Sequence, residues 1–127
     1  MDIRGTDFVY YQTNDIEKAI AFYRDTLGLE LYGYFEEVKW AEFNAGNVTF
    51  AINDPSAFDP NAKAQSGGAA ISFAVADLAA SVKELESKGG PFTVPENESL
   101  VCHFACIQDP DGNTVWIHQR KDGTFAD

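Results

Sequence analysis

Residues 8–28, FVYYQTNDIEKAIAFYRDTLG, and residues 70–90, AISFAVADLAASVKELESKGG, carry one pattern twice at a constant offset of 62 (70 − 8). Internal repetition of this kind makes the fold a duplication of one unit, so it is settled before any single element. Val9 aligns with Ile71, Tyr11 with Phe73, Asp15 with Asp77, Ile16 with Leu78, Ile20 with Val82, Tyr23 with Leu85 and Gly28 with Gly90, without a gap. In each copy a short alternating stretch runs into an Asp that can accept hydrogen bonds from the free N–H groups of a following helical turn. Apolar residues then recur at Ile16, Ala19, Ile20, Tyr23 and Leu27, and at Leu78, Val82 and Leu85, one helical stripe per copy. Gly28 and Gly89-Gly90 supply residues that easily adopt the left-handed conformation ending a helix.

After each helix the composition returns to strand. The first copy continues with Leu29–Phe35, Lys39–Phe43 and Val48–Asn53, the last two joined by the turn Asn44-Ala45-Gly46-Asn47. The second continues with Phe92–Val94, Val101–Ile107 and Thr114–Gln119, with Asp109-Pro110-Asp111-Gly112-Asn113 as its turn. The expected architecture is α+β: a single domain, 1–127, of two tandem βαβββ units forming a cup-shaped mixed sheet with helices outside. Unit one spans 1–53 and unit two 69–121, with a short C-terminal tail 122–127. Residues 54–68, rich in Pro, Ala, Asn and Gly, form the linker and are long enough to be mobile.

A helix covers only one face of its sheet, and strand parity says which residues it covers. Val9, Tyr11 and Thr13, Val48, Phe50 and Ile52, and Ile71, Phe73 and Val75 are expected toward the helices. The other parity gives the cavity lining: Phe8, Tyr10, Gln12, Thr49, Ala51 and Asn53 from the first unit, and Ala70, Ser72, Ala74, Thr114, Trp116 and His118 from the second. That set mixes aromatic, small and neutral polar groups and contains no carboxylate. Trp40 and Glu42 can also line the cup, but the flanking turns leave their direction open. His103 sits in a strand of unfixed parity and reads as a surface histidine.

Nine basic against 20 acidic residues give a net charge of −11, which repels phosphate backbones and anionic membranes. Neither nucleic acid nor a membrane is an expected partner. No signal-like N-terminus and no apolar run of about 20 residues occurs, so a cytoplasmic location is expected. Cys102 and Cys106 stand four apart in one strand, about 13 Å at about 3.3 Å per residue, too far for a disulfide. They read as reduced packing residues.

The chain resembles the vicinal oxygen chelate superfamily, which includes glyoxalase I, extradiol dioxygenases, fosfomycin-resistance transferases and bleomycin-resistance proteins. The resemblance rests on Asp15-Ile16-Glu17-Lys18-Ala19-Ile20-Ala21-Phe22-Tyr23 with Leu27-Gly28, and on Asp109-Pro110-Asp111-Gly112-Asn113 leading into Val115-Trp116-Ile117-His118-Gln119-Arg120. It implies four symmetric positions at which metal-dependent members carry His, Glu or Gln, and here these are Phe8, Ala51, Ala70 and Trp116. None of these side chains can donate a lone pair to a divalent cation. A register slip of one substitutes Asp7, Phe50, Ala69, Ile71, Val115 or Ile117, which adds a single ligand where about three must converge.

The expected function is therefore metal-free binding of a small organic molecule, aromatic or cationic, similar in kind to the bleomycin-resistance branch, with no metal and no cofactor. The resemblance implies a homodimer. Two alternatives accompany this reading: a glyoxalase-like lyase, isomerase or dioxygenase with an unrecognised metal site or with His118 as general base, and a regulatory or partner-binding module. His118 is the one catalytic candidate. The expected ligand-binding residues are Phe8, Tyr10, Gln12, Trp40, Thr49, Ala51, Asn53, Ala70, Ser72, Trp116 and His118.

Overall fold

The alternating stretch that opens each copy becomes an edge strand, paired in parallel with the last strand of its own unit. In the computed structural model, which describes residues 1–124, β1 (Phe8–Gln12) pairs with β4 (Thr49–Asn53), β4 with β3 (Trp40–Asn44) and β3 with β2 (Glu30–Phe35). Only the β1–β4 pair is parallel, and it needs a crossover, which helix α1 (Ile16–Ala21) supplies. The second unit repeats this plan. Its sheet runs β5 (Ile71–Ala74), β8 (Thr114–Arg120), β7 (Cys102–Gln108), β6 (Phe92–Glu98), with helix α2 (Leu78–Ser87) as the crossover. The result is α+β with two βαβββ units, as the repeat requires.

Both predicted caps form. Asp15 accepts from the Lys18 amide at 3.2 Å and Asp77 from the Ala80 amide at 3.1 Å, so each copy starts its helix with the same side chain. The helical stripes then pack on the expected parity. Tyr23 is fully buried, with its ring 4.7 Å from Phe50 and 6.0 Å from Phe43, and Tyr11 meets Phe50 edge-on at 5.8 Å. In the second unit the buried Leu78, Val82 and Leu85 of α2 pack on a sheet whose buried residues include Ala105, Ile107, Val115 and Ile117.

The two helices end differently despite their gapless alignment. After Ala21 the first continues as a π-helical turn, Phe22–Thr26, closed by the Leu27 amide on the Phe22 carbonyl at 3.0 Å. That wider turn absorbs one extra residue, so the left-handed glycines are Gly28 (φ 79°) and Gly89 (φ 81°), one place out of alignment. Gly90 serves another purpose. A Cβ there would lie 2.7 Å from Ile107 Cδ1, so the position is kept bare by packing.

Strand limits agree with expectation to within a residue, except that β6 extends to Glu98. Register shifts between Phe92 and Val94 and between Val94 and Asn97 carry this edge strand past Pro95, which an interior strand would not tolerate.

The chain divides into two compact units, Met1–Gln65 and Ser66–Asp127. Much of the expected linker is thus part of the first unit. A 3₁₀ turn, Pro55–Ala57, is capped by Asp54, and the amides of Ala64 and Gln65 donate to the side chains of Asn14 and Gln12 at 2.8 and 3.2 Å. Residues 125–127 of the expected tail lie outside the described residues. Among the described residues no helix is long and apolar enough to cross a membrane.

Candidate functional site

The face of the first sheet opposite α1 is read directly from the register. Its cross-strand rows are Phe8–Thr49–Asn44–Glu30, then Tyr10–Ala51–Glu42–Gly33, then Gln12–Asn53–Trp40–Phe35. This settles the direction of Trp40 and Glu42: both lie on the open face. It also puts a carboxylate on this face, because Glu42 stands beside Ala51. Alternation beyond a turn fails as a guide when the turn length is unknown, and here a 3₁₀ turn, Glu36–Val38, and the left-handed Lys39 stand between β2 and β3.

Lys39 adopts φ 47°, the single left-handed non-glycine residue among those described. Several bonds hold it there. The Asn53 amide donates to the carbonyls of Val38 (3.0 Å) and Lys39 (3.1 Å), and the Asp54 backbone N–H donates to the Lys39 carbonyl at 3.1 Å. The Lys39 ammonium lies 3.7 Å from the Asp54 carboxylate. Asn53 was expected to meet ligand; its amide is spent on this junction, and the side chain is buried. Gln12 is similarly occupied, its Oε1 accepting from Gln65.

Three aromatic rings gather on the open face: Phe8 and Trp40 edge-on at 5.5 Å, Tyr10 and Trp40 tilted at 5.6 Å, and Phe8 and Tyr10 tilted at 6.2 Å. Ala51, which no helix covers, is nevertheless 0% exposed beneath them, while Phe8 and Tyr10 remain 46% and 47% exposed. Such half-exposed rings lose apolar surface to water that a planar ligand would cover. Trp40 Nε1–H donates to Glu42 Oε1 at 3.0 Å, so indole and carboxylate hold each other in place.

The second unit presents a smaller version. On the face opposite α2, Ser72 stands beside Trp116, Ala74 beside His118, His118 beside Phe104 and Trp116 beside Cys106. Trp116 stacks tilted on Phe104 at 5.4 Å. Phe104 was not on the expected list, because the parity of β7 could not be fixed from a strand that lacks clear alternation. Ala70 precedes β5 and is exposed. The Asp109 turn delivers β8 to this face: its buried carboxylate accepts from the Asp111 and Asn113 amides and from the Asn113 side chain at 2.8–2.9 Å.

His118 is half-buried on this face, and among the described residues its imidazole makes no hydrogen bond. His103 falls on the other parity, at the start of β7, 3.8 Å from Glu98, whose carboxylate also binds Lys121 at 2.8 Å. It lies at the surface beside the Glu98–Lys121 ion pair. Cys106 is buried, and burial pushes its thiol pKa up, which favours an inert thiol; Cys102 is half-buried, and neither forms a disulfide.

The positions that the resemblance assigns to metal ligands do not fit a metal. Phe8, Ala51, Ala70 and Trp116 offer carbon atoms or an indole N–H donor, and Glu42 is one carboxylate already bonded to Trp40. Among the described residues no group of three His, Cys, Asp or Glu is placed to hold an ion.

Comparison with known proteins agrees with the fold. The profile of the Glyoxalase/Bleomycin resistance protein/Dioxygenase superfamily matches residues 5–117. Among solved structures, an antibiotic binding protein from a Streptomyces species is similar with a TM-score of 0.77 and 22% identity, over 95% of this chain and 99% of that one. Lactoylglutathione lyase from Agrobacterium tumefaciens is similar with a TM-score of 0.75 and 21% identity, over 98% and 100% of the two chains. A superfamily member from Sphaerobacter thermophilus has a TM-score of 0.76 and 24% identity, over 92% and 98%. These likenesses establish the fold. No curated protein matches significantly.

Proposed function

Because the chain belongs to the Glyoxalase/Bleomycin resistance protein/Dioxygenase superfamily, whose fold carries unrelated chemistries on a few changed residues, we propose that it is a metal-free binding protein for a small organic molecule. The observation that carries this reading is the half-exposed cluster of Phe8, Tyr10 and Trp40 on the helix-free face of the first sheet. Flat, rigid rings present a large contact area at little entropic cost, and a planar ligand is the chemistry that they recognise. The absence of lone-pair donors at the metal positions supports binding over metal-assisted lysis or oxygenation.

The protein is proposed to act in the cytoplasm and as a homodimer, which sedimentation velocity at micromolar concentration tests. A thermal-shift screen of planar neutral and cationic compounds tests the binding reading itself. The expected result is at least one compound that raises Tm and shifts the indole N–H signal of Trp40 in an NMR spectrum. A panel of planar compounds that leaves Tm and both indole signals unmoved would overturn it.

One observation favours a second reading. The half-buried imidazole of His118, beside Phe104 and Trp116, is a side chain of the kind that a metal-free lyase or isomerase would use as general base. Turnover of a bound compound that is lost in His118→Ala, with binding retained, would promote the protein from binder to enzyme.

A further inference from the structure

We infer that the open face of the first sheet selects an organic cation, with Glu42 as its counter-charge; this deepens the binding reading above and rests on it. The row Tyr10–Ala51–Glu42–Gly33 places the carboxylate between the two smallest side chains of the face. A Cβ built on Gly33 would meet the ring of Phe35 at 3.8 Å and nothing else within 4 Å, so there is room for added bulk beside Glu42. The next row adds Trp40 and Phe35, the latter 51% exposed. A carboxylate sharing one sheet face with Tyr10, Trp40 and Phe35 is what a quaternary or protonated nitrogen on an aromatic frame requires.

Two attractions act on such a ligand together. The negative faces of the rings draw a cation, and Glu42 supplies a full opposing charge. Trp40 occupies only one carboxylate oxygen, Oε1, which orients the group and leaves Oε2 for the ligand. The nearest base in sequence, Lys39, is already beside Asp54 and Ser56, so it does not neutralise Glu42. A net charge of −11 adds a long-range pull of the same sign.

The test is titration calorimetry with a matched pair of planar probes, N-methylquinolinium as the cation and quinoline as the neutral frame. The wild-type protein is expected to bind N-methylquinolinium about ten-fold more tightly than quinoline. Glu42→Gln, whose amide oxygen can still accept from Trp40, should abolish that preference, so that the two probes bind with affinities within about two-fold of each other. Gly33→Leu, which adds bulk beside Glu42 without changing charge, should weaken both probes, with circular dichroism confirming the fold of each variant. Equal binding of the two probes by the wild type overturns the inference and leaves the binding reading standing. A cation preference that survives in Glu42→Gln also overturns it. Binding of neither probe overturns it as well, and the broader screen then decides whether the binding reading falls too.

Discussion

Trp40 owes its place on the open face to its neighbours more than to its own chemistry. Its ring rests against Phe8 and Tyr10 while its N–H holds Glu42, so the indole is both wall and clamp. Trp40→Ala should weaken a bound planar ligand by about 1–3 kcal/mol, the scale lost when a large interface aromatic is truncated, and titration calorimetry reads the change directly. An unchanged affinity would remove Trp40 from the site. Cys106 offers a second check at this scale: its burial and raised thiol pKa predict slow alkylation by iodoacetamide at pH 8, with Cys102 modified first as read by peptide mass spectrometry.

Among the elements, the place where the end of β4 meets the start of β3 has the clearest energetic consequences. Burial alone would raise the Asp54 pKa, but hydrogen bonds from Ser56 and the charge of Lys39 outweigh it and hold the carboxyl below its ordinary value. A depressed folded-state pKa gives stability that is fully present above the unfolded value, about pH 4, and lost as pH falls through the folded one. Asp54→Asn should therefore lower Tm at neutral pH, and the gap from wild type should close as the pH drops below about 4. Scanning calorimetry between neutral and acid pH checks the sign. The caps give a simpler expectation: Asp15→Ala or Asp77→Ala should each cost about 1 kcal/mol in urea unfolding, because an N–H at the start of the helix loses its acceptor.

For the whole molecule the decisive measurement is elemental. Protein purified without chelators should carry well under one equivalent of zinc, nickel, manganese or iron, because no group of three ligand side chains converges among the described residues. Stoichiometric metal that survives dialysis would overturn the metal-free reading. Size gives a second expectation at this scale. A fragment of about 60 residues buries only about 60% of its unfolded surface, so residues 1–60 and 61–127 expressed apart should be unfolded or aggregated by NMR.

The repeat at residues 8–28 and 70–90 determined the fold by itself, because caps, helical stripes and strand alternation are local consequences of side-chain spacing. Asp15, Asp77, Tyr23 and Gly28 were legible for that reason, as was the parity of β1, β4, β5 and β8. The site was only partly legible. Phe8, Tyr10, Ala51 and Trp116 follow from alternation, but Trp40 and Glu42 depend on the left-handed turn at Lys39, which no spacing rule announces for a lysine. Asn53 read as a ligand contact because its parity is right, whereas its amide is consumed by the Val38 and Lys39 carbonyls. Phe104 became visible only when cross-strand pairing set it beside His118. Local sequence specifies which face a residue can choose; which residues then share a row, and which polar groups are already satisfied, is set by hydrogen bonds between segments distant in the chain, and only the tertiary structure decides that.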